Sequence, residues 1–139
     1  MYRALIEPYK QTAFRYLAMA ETLLEARFHD GAAFHIYHAY ESIICSALLK
    51  RQPYSRPPFP HLTKLERFKQ VFAQEREMIA ISTQLSYRLH AIRNRVLYPE
   101  LRELSTVIMP AVAVSEKQVR GYLSNVKQFV NLLISRLKL

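Results

Sequence analysis

Apolar residues recur at steps of three and four through four long stretches of the chain, the period of a helix with one buried face. Ala13, Tyr16, Leu17, Ala20, Leu23 and Leu24 mark the first, over residues 8–27. Pro8 suits its first helical position, where a missing N–H leaves nothing unbonded, and an earlier turn is expected at 2–6. His29-Asp30-Gly31 breaks the pattern, and Asp30 can cap the second helix. Ala33, Ile36, Tyr37, Tyr40, Ile43, Ile44, Ala47 and Leu48 carry that helix to Gln52-Pro53. Thr63 and Glu66 have capping-box spacing, so a shorter third helix is expected from about Lys64, with Leu65, Phe68, Val71 and Phe72 inward. Residues 74–77 fit either a polar turn or a solvated piece of helix.

Ile81, Leu85, Leu89, Ile92 and Val96 form the stripe of the next long helix. It should end near Tyr98, because a residue before proline is pushed out of the α region. Arg88, Arg95 and Arg102 project from a strip beside the stripe, while Arg93 and Asn94 lie on another side. Residues 101–104 are expected to add a helical turn. Residues 105–114 are apolar, contain Pro110 and lack helical period, so they read as a connector over the core. Ser115 and Gln118 form a second capping-box pair, opening a last helix over 116–138 through Val119, Tyr122, Leu123, Val126, Phe129, Val130, Leu133 and Leu137.

This pattern, with only 2 Gly and 7 Pro in 139 residues, predicts an all-α single domain. The expected architecture is an antiparallel four-helix bundle over residues 1–139, with one or two extra short helices. No apolar run approaches the roughly 18 residues of a membrane span, and no signal-peptide pattern is present. A lone cysteine, Cys45, rules out an internal disulfide and suits a reducing cytoplasm. Cys45 lies in a helical stripe and reads as a small core residue rather than a nucleophile.

A formal charge of +9 keeps an anionic partner in view, although it also serves solubility. His35, His38 and Glu41 share a helix face with metal-ligand spacing, but no second carboxylate–His pair accompanies them. Phosphate loops and Ser–His–acid signatures are missing, so no cofactor and no resident metal are expected. The stretch 52–60, QPYSRPPFP, reads as a rigid connector, with docking of a partner protein as the alternative. Tyr9, Tyr16, Tyr37 and Tyr40 on the first two helices fit core and interface packing better than a base-stacking platform.

Arg93, Asn94, Arg95 and Tyr98 at the end of the fourth stretch are the candidate ligand-binding residues. A guanidinium grips phosphate bidentately, an amide orients it, and a phenol stacks or donates a hydrogen bond. The structural alternative pairs Arg93 with Glu100 or Glu103. The Arg93-Asn94 pair, the Ala39-Tyr40-Glu41 segment and His61-Leu62 before the third helix together resemble the HEPN (higher eukaryotes and prokaryotes nucleotide-binding) domain family. The likeness covers most of the chain. Leu24, Phe28, Gly31, Ala32, Ala33, Ala47 and Leu48 fall in the same order as in the family's first two helices.

That resemblance implies a homodimer joined through the motif-bearing helices, here over residues 87–98. It implies RNA or a nucleotide in the dimer cleft, and a nucleotidyltransferase or toxin–antitoxin partner. Catalytic members place a His four residues after the Arg, and Tyr98 stands there instead. A phenol with a pKa near ~10 exchanges protons poorly at neutral pH. The expectation is therefore a non-catalytic binding domain. The alternatives are a helical protein–protein module and a metal-independent ribonuclease using Tyr98 or His90.

Overall fold

The computed structural model describes residues 1–103 and 106–139, and of residues 61 and 62 the backbone alone. Small side chains decide how the first two helices meet. Helix α1 (Ile6–Glu25) follows a short 3-10 turn at Arg3–Leu5 and folds back on α2 (His29–Arg51). Ala13 and Ala20 of α1, with Ala32, Ala33 and Ala39 of α2, are all essentially buried, so little bulk separates the two axes. The reversal comes earlier than the expected His29-Asp30-Gly31 break. Arg27 takes a φ of 64°, and the N–H groups of Arg27 and Phe28 donate to the carbonyls of Leu24 and Leu23 at 3.0 and 2.8 Å. This is a Schellman ending with an arginine in the left-handed place that glycine usually fills. Asp30 consequently sits in the first turn of α2 and makes no cap; Phe28 holds the N-cap position.

Helix α2 is the spine. Helices α1, α3, α4 and α6 all pack against it, and every residue from Ala39 to Leu49 is buried. Helix α3 (His61–Val71) begins earlier than expected, because Pro60 sets the start. Thr63 then bonds back to the Pro60 carbonyl at 3.0 Å instead of capping the helix. Residues 72–75 turn the chain into α4 (Arg76–Leu97), and α6 (Glu116–Leu137) closes the core. The rings of Tyr40, Phe68, Phe72 and Phe129 join α2, α3 and α6, with centroids 4.6 to 6.2 Å apart. Ser115 and Gln118 make the expected capping box, with bonds of 3.0 and 3.1 Å.

The described residues are mostly helical and all-α in class, with one small sheet that the helical period did not predict. Tyr98 is extended, as Pro99 requires, and the chain continues into β1 (Glu100–Arg102) in place of the helical turn expected from 101. Strand β2 (Thr106–Ile108), β-branched throughout, pairs with β1 antiparallel, Leu101 opposite Val107. A short α5 (Pro110–Ala113) follows, so the expected connector is partly strand and partly helix. Residues 104 and 105, which end the first expectation and open the second, lie outside the described residues. No helix among the described residues is long and apolar enough to cross a membrane.

Candidate functional site

Successive residues on a helix diverge by about 100°, so neighbours in the sequence part company at its surface. That is what happens at the end of α4. Arg93 turns towards α2, and its guanidinium lies 5.6 Å from the centroid of the Tyr37 ring. The Tyr37 hydroxyl donates to Glu41 Oε1 at 2.9 Å, and Glu41 Oε2 is 3.3 Å from Lys64 Nζ. Glu41 and Lys64 are 8% and 7% exposed, which makes them a buried ion pair linking α2 to α3. A chain of polar groups thus crosses three helices, from Arg93 through Tyr37 and Glu41 to Lys64. Burial first, and then the Glu41 charge, push the Tyr37 hydroxyl well above the usual phenol range, while Arg93 opposes the shift. Tyr37 therefore stays neutral.

On the other side of α4, Asn94, Arg95 and Tyr98 line an open hollow of about 400 Å³ with Ala91, Pro99 and Glu100. Arg95 Nε lies 3.7 Å from Glu100 Oε2. Tyr98 is 65% exposed. The structure thus groups Asn94, Arg95 and Tyr98, and sets Arg93 apart from them with Tyr37. The carboxylate offered by Glu100 goes to Arg95, not Arg93, and Glu103 is exposed with a φ of 53°. Arg102 lies on β1 rather than on the helix with Arg88 and Arg95. The hollow presents a guanidinium, an amide and a phenol, a set suited to holding a phosphate beside an aromatic base.

The other sequence candidates resolve into packing. His35 and His38 lie against Tyr16 at 5.5 and 5.6 Å and against Phe34 at 5.5 and 4.4 Å. Burial holds the His35 imidazole below its ordinary value. Among the described residues no group of three His, Cys, Asp or Glu side chains could hold a metal ion. Cys45 is buried, and burial pushes its thiol up. In the stretch 52–60, Phe59 is buried under the Arg67 guanidinium at 5.0 Å, and Arg67 also bonds Gln52 and Ser55. The loop is pinned as a connector.

Lys64 was not among the residues expected at the site, yet its signal is in the sequence. It lies one turn before Phe68 and two before Phe72, both buried, and so falls on the inward row of α3. Compared with known proteins, the chain matches no protein-family model, and a search of curated proteins finds no match.

Proposed function

We propose that the chain is a non-catalytic, HEPN-like domain that binds RNA or a nucleotide at the cleft of a homodimer. In this reading α1, α2, α4 and α6 form the antiparallel four-helix bundle, and the cleft lies at the C-terminal end of α4. One observation carries it. Two of the segments that carry the resemblance, Ala39-Tyr40-Glu41 and Arg93-Asn94, stand side by side, with Tyr37 touching both Arg93 and Glu41. A helix end that carries two arginines, an amide and an exposed phenol favours an anionic, base-bearing ligand. Tyr98 in place of an imidazole removes the group that would move a proton at neutral pH. A nucleotidyltransferase or toxin–antitoxin partner accompanies this reading.

The test is a titration into labelled single-stranded RNA in the presence of chelator, read on native and denaturing gels. Binding without cleavage is expected, weakening with salt as phosphate contacts release counterions. Arg93→Ala and Arg95→Ala should each reduce it. Cleavage that disappears in Arg93→Ala would replace the proposal with a metal-independent ribonuclease. No binding at all would turn the assignment to a protein-interaction module.

A further inference from the structure

Two packed helices hold almost all of the chain's net charge. Residues 78–99 and 117–139, which make up most of α4 and α6, contain eight of the 20 Lys and Arg residues and none of the 11 Asp and Glu. Part of this charge is answered from elsewhere: Arg136 meets Glu77 at 2.8 Å, Lys127 meets Glu21 of α1, and Arg93 faces Tyr37. Arg88 has no such partner among the described residues. It stands at a hollow of about 240 Å³ between α4 and α6, away from the helix end described above. Ile81, Leu85 and Phe129 give this hollow an apolar floor, and Gln84, Asn125 and Gln128 join Arg88 around it. Among the described residues, none of these four polar side chains bonds another side chain. Three amides can donate to and accept from the edge of a base, and the guanidinium can take its phosphate.

We propose that this α4–α6 hollow is a second nucleotide subsite, and that the ligand is a single RNA strand laid along α4 from Gln84 to Tyr98 rather than a lone nucleotide. Arg95 follows Arg88 by seven residues and so falls on the same row of α4, about 10 Å further along. Two guanidiniums that far apart serve two different phosphates. Arg95 is only loosely held by Glu100, at 3.7 Å and in solvent, so its charge remains available. Tyr87 and Tyr98 are 81% and 65% exposed, and eleven residues bring them onto one line beside the arginines. Exposed rings alternating with basic groups are what a single strand stacks on and what an acidic peptide does not need. The path between the hollows is low. The Arg136–Glu77 pair, and Asn125 beside Arg88, set an antiparallel register that carries Gly121 of α6 towards Ala91 of α4. Glycine weakens a helix interior, and a Cβ at Gly121 would meet nothing within 4 Å, so no packing within the chain requires it. The inference rests on the binding reading above and extends that site along one chain.

The experiment is fluorescence anisotropy of the full chain with a labelled dinucleotide and a labelled octanucleotide of single-stranded RNA, in chelator, over a range of salt. Wild type should bind the octanucleotide at least about tenfold more tightly, the worth of one further charged contact. Arg88→Ala should abolish that gain and flatten the octanucleotide's salt dependence by roughly 0.7 in slope, one phosphate contact on a single strand. Gly121→Glu, which sets a carboxylate between the hollows, should also weaken the octanucleotide. Arg15→Ala removes the same charge from the exposed side of α1 and should leave the gain intact. All three positions are exposed, so the helical circular-dichroism spectrum should not change. Equal binding of the two lengths by wild type overturns the inference, as does an Arg88→Ala chain that keeps the gain or an Arg15→Ala chain that loses it. The binding reading survives each of these if Arg95→Ala still weakens the dinucleotide. Binding that needs Arg88 and ignores Arg95 would keep the subsite and overturn the helix-end reading.

Discussion

Glu41→Ala should remove a large part of the protein's stability. The carboxylate faces Lys64 Nζ at 3.3 Å, and both side chains are about nine-tenths buried. Removing one member of such a pair leaves the other charge in a poorly solvated place, which costs roughly 3–5 kcal/mol. The Tyr37 hydroxyl also loses its 2.9 Å hydrogen bond to Glu41, a further cost of about 0.5–1.5 kcal/mol that overlaps the first. A domain of this size is stable by roughly 5–15 kcal/mol, so the variant should unfold at far lower urea and melt about 10–20 °C earlier. Replacing both partners with Met tests the cause. Two thioethers of similar length bury no charge, and the double variant should recover to within about 2 kcal/mol of wild type. The assay is urea denaturation followed by far-ultraviolet circular dichroism, run on wild type, both single variants and the double. Glu41→Ala within about 1 kcal/mol of wild type would refute the buried-pair argument, as would a double variant as unstable as the sum of the singles.

Three further outcomes are expected. Arg27→Gly should stabilise by about 0.5–1 kcal/mol, because the left-handed φ of 64° strains an L side chain and not glycine; a chemical melt measures it. Cys45 should resist maleimide at neutral pH in the folded protein and react once urea unfolds it, since burial both shields the thiol and raises its pKa. Burial lowers the His35 pKa, so the folded state binds fewer protons than the unfolded chain. That contribution is intact above about pH 6.5 and is lost as pH falls below it, levelling once the folded-state value is passed. His35→Gln should therefore lose less stability than wild type between about pH 7.5 and about pH 5.5 in matched urea melts.

The period of apolar residues foretold α1, α2, α4 and α6 because each has a face repeated over many turns. Their ends were legible where local chemistry decides them, as at Ser115 with Gln118 and at Tyr98 before Pro99. The hairpin escaped because its strands are three residues each, too short for an alternating pattern to stand out from a helical one. The α3 start was misplaced because Thr63 and Glu66 imitate a capping box that Pro60 pre-empts. At the candidate site, sequence spacing placed Arg93, Asn94 and Tyr98 together; the hollow holds Asn94 and Tyr98, while Arg93 lies over Tyr37 instead. Spacing within one helix could not say that Arg93 would meet Tyr37, nor that Glu41 would meet Lys64. Those pairings depend on how α2, α3 and α4 cross, and the residues are 56 and 23 positions apart in the chain.

Tyr37 stands between a guanidinium and a carboxylate, and this makes it an insulator. Its ring face attracts Arg93 through a quadrupole, and its hydroxyl donates to Glu41, which is paired with Lys64, so an aromatic face stands between the Arg93 guanidinium and that carboxylate. Phenylalanine at this position would keep the partition and lose only the hydroxyl. A carboxylate there would short-circuit it, spending the Arg93 charge inside the protein. A side chain that is neutral at physiological pH thus meets Arg93 and leaves its positive charge uncancelled at the end of α4.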